Sequence, residues 1–247
     1  MKRKNYAGFY DWEFELICTR QRHDVKLWKK LATKYGGPIL DICCGTGRIT
    51  QELAKMGFEI TALDNSPEML EILEKKKLPK VQTVLADMRD FSLDRKFKFA
   101  FISYSSFQQL LSLEDQAKCL NTIKRHLTDD GVLGIDINPH VLEGSDVQEK
   151  EISYIADFPA RNSRVTMFTS HKIDLKNQIK HWEDTYVEIY PDGRKNEFIN
   201  RESLKGCNRD DMQLLFEKCG YNIIDVFGDF DGGEMTEDSW NMVWVVS

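Results

Sequence analysis

The run Ile39-Leu40-Asp41-Ile42-Cys43-Cys44-Gly45-Thr46-Gly47-Arg48 constrains the fold more than any other stretch of this chain. An apolar segment breaks into a Gly-X-Gly turn, after which Ile49, Leu53 and Met56 recur at helical spacing. Strand, tight turn and helix in that order open a parallel sheet, whose crevice at the carboxyl ends of the strands is built for nucleosides. Gly45 and Gly47 lack a Cβ, so the backbone bends there and polar ligand atoms reach the main chain. The helix starting near Gly47 presents unpaired N–H groups. Seventeen residues beyond Gly47 the next apolar run ends in Asp64, an acceptor-only side chain suited to two ribose hydroxyls. A ribose-bearing ligand is expected there.

What the turn lacks narrows that ligand. A dinucleotide fingerprint needs three glycines, G-x-G-x-x-G, and the flanking positions here hold Cys43 and Arg48. The register that works is D-x-C-x-G-x-G from Asp41 to Gly47, which resembles motif I of class I S-adenosylmethionine-dependent methyltransferases, with Cys43 where that family has glycine. The resemblance continues in chain order over residues 36 to 138. Asp64 falls at the family's ribose-binding acid. Residues 81–86 read as a third buried strand, and Asp87-Met88 at its end match the adenine position, Asp87 accepting from the exocyclic amine and Met88 supplying a backbone N–H and a polarizable side chain. Ser103-Tyr104 close the fourth strand, where the family joins cofactor and substrate contacts. The resemblance implies S-adenosylmethionine as cofactor, S-adenosylhomocysteine as product, and Tyr10, Asp41, Cys43, Gly45, Thr46, Gly47, Asp64, Asn65, Met69, Asp87, Met88 and Ser103 as binding residues. Tyr10-Asp11 looks like the Tyr-Asp pair that precedes the first helix in such enzymes.

Strands alternating with helices give an α/β fold class: a Rossmann-like, mostly parallel seven-stranded sheet with helices on both faces. Ser66 reads as an N-cap with Pro67 at N1, and Asn208 caps a helix carrying Met212, Leu215 and Phe216, closed by Gly220. Leu113, Ala117, Leu120, Ile123 and Leu127 form one stripe before the turn Asp129-Asp130-Gly131, with the fifth strand at 132–137. Residues 221–226 and 239–246 read as the last two strands of that sheet. Between 150 and 205 the pattern becomes strict alternation, with Pro191-Asp192-Gly193 as a turn, which reads as an inserted antiparallel β lid roofing the crevice. Residues 1–149 and 206–247 then form the core domain. The aromatic stretch Tyr6 to Phe14 either closes the pocket from the other side or packs a helix on the sheet.

Composition restricts partners. A net charge of -6 argues against nonspecific attraction to phosphates, and no apolar run approaches the roughly 20 residues of a membrane span. The basic start Met1-Lys2-Arg3-Lys4 has no apolar segment behind it, so a cytoplasmic protein is expected. Six cysteines without a C-x-x-C pair read as reduced, mostly buried thiols. His171, His181 and Glu183 carry no metal-ligand spacing, and no metal is expected.

The chemistry implied by the resemblance is in-line displacement on an activated methyl group, in which the protein aligns, desolvates and removes one proton where needed. The acceptor is expected to be a small molecule offering N or O, with His140 as candidate base and Tyr104 positioning the acceptor. The plain alternative for His140 is an ordinary loop histidine. The acidic residues from Asp229 to Asp238 either attract a cationic substrate or form a solvated loop. Two other functions stay open, a nucleic-acid (RNA) methyltransferase and a noncatalytic S-adenosylmethionine-binding module, and so does a homodimer. Ser103-Tyr104-Ser105-Ser106-Phe107 is not the Asp/Asn-Pro-Pro-aromatic run of amino-directed base enzymes, and no basic stripe is evident.

Overall fold

The structure, a computed structural model, describes residues 6–17 and 24–247, so the basic start and Cys18 lie outside the described residues. Helices α1 (Ala7–Ile17) and α2 (Asp24–Tyr35) precede β1 (Ile39–Ile42), α3 (Arg48–Lys55), β2 (Ile60–Asp64), α4 (Pro67–Lys75), β3 (Val81–Leu85), β4 (Phe97–Ile102), α5 (Leu113–His126) and β5 (Leu127–Ile137). Four long strands follow, β6 (Val147–Phe158), β7 (Ser163–Asp174), β8 (Ile179–Ile189) and β9 (Lys195–Lys205). After them come α6 (Arg209–Lys218), β10 (Ile223–Phe227) and β11 (Met242–Val246).

The seven-stranded sheet has the order β10-β11-β5-β4-β1-β2-β3 and is parallel from β5 through β3, with β11 running antiparallel to both neighbours. Its central strands are buried on both faces, which is why they read as continuous apolar runs. In β4, Phe99 and Phe101 pack with Leu27, Trp28 and Leu31 of α2 and Ile49 and Leu53 of α3. Ala100 and Ile102 face the opposite core with Leu120 and Ile123 of α5 and Phe216 of α6. Trp28 stacks on Phe101 at 5.0 Å between ring centres, and a Cβ on Gly134 would come within 2.7 Å of the Trp28 ring. Burial of each such side chain stabilises the fold by about 1.5–3 kcal/mol.

Local signals set the helix starts. The Ser66 hydroxyl accepts from the Met69 N–H with Pro67 at the first helical position, and the Asn208 carbonyl oxygen accepts from the Asp211 N–H at 2.8 Å. Each cap contributes about 1 kcal/mol. Some expectations shift. Residues 81–85 form an edge strand rather than a buried one, leaving Leu85 61% exposed, because nothing pairs beyond β3. Leu113 begins α5 on the solvent side. The chain at 128–131 is not a free turn before the fifth strand. β5 starts at Leu127 and bulges there, pairing Phe97 with Leu127 and next Phe99 with Val132. Tyr10-Asp11 lies inside α1, where the Tyr6 carbonyl accepts from the Phe9 and Tyr10 N–H groups.

The inserted segment is a four-stranded antiparallel sheet, β6-β7-β8-β9, of successive hairpins, and the turn at Pro191-Asp192-Gly193 joins β8 to β9 with the Gly193 N–H donating to the Tyr190 carbonyl. It has a core of its own: Phe158, Val165, Met167 and Tyr186 pack on Phe9 of α1, and Trp12 stacks on Phe158 at 4.6 Å. The buried Glu13 carboxylate accepts from the Tyr154 and Tyr186 hydroxyls, each at 2.8 Å. Helix α1 is thereby fastened to the lid.

Candidate active site

A cavity of about 1240 Å³ opens where the carboxyl ends of the parallel strands meet the lid and α1. Its floor is the turn after β1. Cys43, Gly45 and Gly47 all take left-handed backbone, with φ of 59°, 56° and 82°. A Cβ on Gly45 would meet nothing within 4 Å, since that face borders the cavity, whereas one on Gly47 would strike Leu73 Cδ1 at 2.3 Å. Gly45 thus leaves room for a ligand, and Gly47 lets α4 close up. Cys43 accepts the left-handed strain that glycine would avoid, and its thiol donates to the Met88 sulfur at 3.6 Å.

Asp64 sits at the end of β2, 6% exposed. Its Oδ2 accepts from the Gly45 N–H and its Oδ1 from the Ser66 N–H, each at 2.8 Å. These bonds fix the carboxylate beside the turn, and each oxygen keeps a further acceptor site. Asn65, Met69, Ala86 and Met88 continue the wall. A nucleoside fits this half: a bare backbone at Gly45, a preset acid, and two thioethers.

Of the residues expected to bind, Tyr10, Cys43, Gly45, Asp64, Asn65, Met69 and Met88 line the cavity together with Tyr104 and His140. Asp41, Thr46, Gly47, Asp87 and Ser103 do not. Asp41 lies beneath the turn, its Oδ2 accepting from the Thr50 hydroxyl of α3, and burial pushes its carboxyl up to about 7. Thr46 is fully buried and donates to Asp11 of α1 at 2.5 Å. Ser103 is buried at the end of β4. Asp87 is turned onto Arg89, whose guanidinium holds its carboxyl below the usual range.

His140 borders the cavity with both ring nitrogens facing acceptors, the Glu143 carboxylate at Nδ1 and the Ser239 carbonyl at Nε2. Glu143 raises its pKa, and both ring nitrogens are already taken up by hydrogen bonds within the protein. As drawn here it is a strut between the loop after β5 and the loop before β11. Tyr104 projects its ring into the cavity from a two-residue left-handed turn, Tyr104-Ser105, with φ of 58° and 56°.

The fold adds residues with no sequence signal of their own. Asp136 at the end of β5 is 4% exposed yet lines the cavity, its Oδ1 accepting from the Ser105 N–H at 2.9 Å. Burial raises its carboxyl to about 7. Asp24 of α2 also lines the cavity and is gripped bidentately by Arg48, which stacks over Phe14 at 4.3 Å. From the lid come Thr169, Trp182, Asp184, Asn200 and Glu202. Thr169 donates to Asp184 and Gln109 donates to Glu202, each at 2.8 Å, and burial lifts the Asp184 carboxyl to about 6. Alternation put these strands in a sheet, but only the packed lid shows which face looks inward.

The other groups weighed from sequence lead elsewhere. His171 meets the Ser145 carbonyl, His181 the Ser203 hydroxyl, and Glu183 pairs with Arg201. In the acidic loop, Asp229 caps the N–H groups of Asp231, Gly232 and Gly233, and Asp231 pairs with Lys26. Cys43, Cys44, Cys119, Cys207 and Cys219 are thiols that form no disulfide among the described residues. Among the described residues no helix is long and apolar enough to cross a membrane.

Fold, turn and acid together resemble those of class I methyltransferases, and comparison with known proteins points the same way. Residues 39–131 match the family model described as a methyltransferase domain. That segment is therefore similar to a methyltransferase domain, in line with the motif from Asp41 to Gly47. It is 31% identical over 161 residues to the Bacillus subtilis (strain 168) protein named "Putative methyltransferase YqeM", covering 61% of this chain and 65% of that protein. It is 31% identical over 104 residues to the dTDP-3-amino-3,4,6-trideoxy-alpha-D-glucopyranose N,N-dimethyltransferase of Streptomyces venezuelae, covering 42% and 44% of the two lengths. An S-adenosylmethionine-dependent methyltransferase from Clostridium acetobutylicum ATCC 824 shares the fold, with a TM-score of 0.82 at 16% identity over 97% of this chain and 98% of that one.

Proposed function

We propose that the chain methylates an amine nitrogen of a small molecule, using S-adenosylmethionine held by the Gly45 turn, Asp64, Asn65, Met69 and Met88. The observation that carries this reading is the charge of the cavity. Six carboxylates line it, Asp24, Asp64, Asp136, Glu143, Asp184 and Glu202, with no lysine or arginine among the described lining residues. Tyr6, Tyr10, Tyr104, Trp182 and Trp240 add aromatic faces. Carboxylates and ring faces attract ammonium groups and repel phosphates. The N,N-dimethyltransferase relative acts on an amino sugar, which supports nitrogen as the acceptor atom. Its nucleotide diphosphate would find no lysine or arginine among the described lining residues, so the acceptor of this chain is a phosphate-free amine.

When bound, the cofactor supplies an electrophilic methyl group on a sulfonium. The protein's residues do the rest: the lid and α1 exclude water, Tyr104 and Trp182 flank the acceptor, and carboxylates orient its nitrogen. The test is transfer of labelled methyl to tyramine, spermidine and glucosamine, with dTDP-3-amino-3,6-dideoxy-α-D-glucopyranose and total RNA as phosphate-bearing comparisons. Transfer to a phosphate-free amine is expected. Transfer to the phosphate-bearing probes alone overturns the reading. Cofactor binding without transfer to any of them returns the chain to a noncatalytic module.

A further inference from the structure

Given an amine acceptor, one group must take its proton, and the loop histidine is engaged at both nitrogens. We propose that Asp136 is the catalytic base, holding the acceptor nitrogen at the mouth of β4 and β5 and receiving its proton. The inference rests on the amine reading above.

Geometry carries it. Asp136 is the cavity's most enclosed carboxylate apart from Asp24, and Asp24 is spoken for by both arms of Arg48. Among the described residues Asp136 has no ion-pair partner in contact; it is oriented by backbone N–H groups of Tyr104 and Ser105. Those two residues sit in consecutive left-handed conformations, each costing roughly 1 kcal/mol outside glycine in general. The strained turn does two things at once: it aims N–H groups at Asp136 and puts the Tyr104 ring into the cavity beside it. A carboxylate fixed by backbone in this way holds its remaining lone pairs in a set orientation at the cavity wall. Burial also brings its proton affinity near neutrality, where a base is most effective. The charged groups that act on it are Asp24 of α2 and Arg48 of α3. Of the residues β11 pairs with it, Val243 carries no charge.

The step balances simply. An N–H bond of the ammonium breaks, its proton bonds to a carboxylate oxygen of Asp136, and the freed lone pair forms the new N–C bond. The C–S bond breaks with its electron pair on sulfur, leaving a neutral thioether. The Asp136 proton is then released to water.

The experiment is Asp136→Asn, an isosteric change, assayed on whichever of tyramine, spermidine or glucosamine the wild type turns over fastest. The expected result is a kcat at least about 100-fold lower, S-adenosylhomocysteine affinity within threefold of wild type, and loss of the limb by which wild-type kcat rises with pH around 7. Asp136→Asn within fivefold of wild-type kcat, or keeping the same limb, overturns the inference while leaving the amine reading intact. Should none of the three amines be methylated by the wild type, both fall together. If Asp136→Asn does not fold, Asp136→Ser is assayed in its place: a kcat at least about 100-fold lower is expected, and a kcat within fivefold of wild type overturns the inference.

Discussion

Around Gly45 and Asp64 the cavity is held by backbone atoms and by residues at strand ends and helix caps of the parallel sheet, whereas under the lid it is held by side chains drawn from α1, β7, β8, β9 and the turn after β4. The first half needs a strand, a bend and one acid, and its contacts are N–H groups meeting a carboxylate. The second half needs Gln109 to reach Glu202 and Thr169 to reach Asp184, pairs set by sheet register and docking. The difference separates a generic binding function from a particular specificity. Backbone geometry can hold the same nucleoside in many proteins, while a ring of lid side chains can be redrawn without touching it.

That contrast can be broken experimentally. Asp64→Ala carries the largest expected effect, because it removes the acceptor for the ligand and also frees the Gly45 and Ser66 N–H groups. Hydrogen bonds to charged groups are worth about 1.5–3 kcal/mol each, so S-adenosylhomocysteine affinity by calorimetry should fall about 100-fold. An unchanged affinity would mean the ligand sits elsewhere.

The paired substitution Asp184→Asn with Glu202→Gln addresses the other half. It should raise the KM for the amine acceptor about tenfold, roughly 1.4 kcal/mol, and leave S-adenosylhomocysteine affinity unaltered. If both constants move together, the two halves are not independent. If neither moves, the lid acids do not face the acceptor.

The smallest effect concerns the support beneath the turn. Asp41 has its folded-state pKa raised to about 7 by burial, above the ordinary carboxylate value. A raised carboxyl binds its proton more tightly in the folded state, so its contribution to stability is complete below about pH 4 and is lost as pH rises through about 7. Asp41→Asn cannot titrate. Its melting temperature relative to wild type should therefore climb between pH 5 and pH 8, by a few degrees. A difference that stays constant with pH would show that Asp41 ionises normally in the fold.

Much of the wall around Gly45 and Asp64 is legible in the sequence. Asp64, Met69 and Met88 line the cavity where their strands and helices were expected to bring them, because each lies within a residue or two of a strand end or helix cap with its own local signature. Asp87 shows the limit of that reasoning: its position after β3 was foreseen, but Arg89, two residues on, captures its carboxylate. His140 shows another, since its partner Ser239 comes from a loop 99 residues away.

From sequence alone the chain's periodicities and turn residues determined a parallel α/β sheet, an alternating insert and a bend at the carboxyl end of β1, since those depend on contacts between near neighbours and on φ values only glycine takes readily. Only the tertiary structure decided that Asp24, Asp136, Asp184 and Glu202 share one cavity without a lysine or arginine among the described residues lining it. Those carboxylates come from α2, β5, β8 and β9, and nothing local to any of them encodes the others. Their meeting is a product of strand register and of the docking of α1 onto the lid through Phe9 and Glu13.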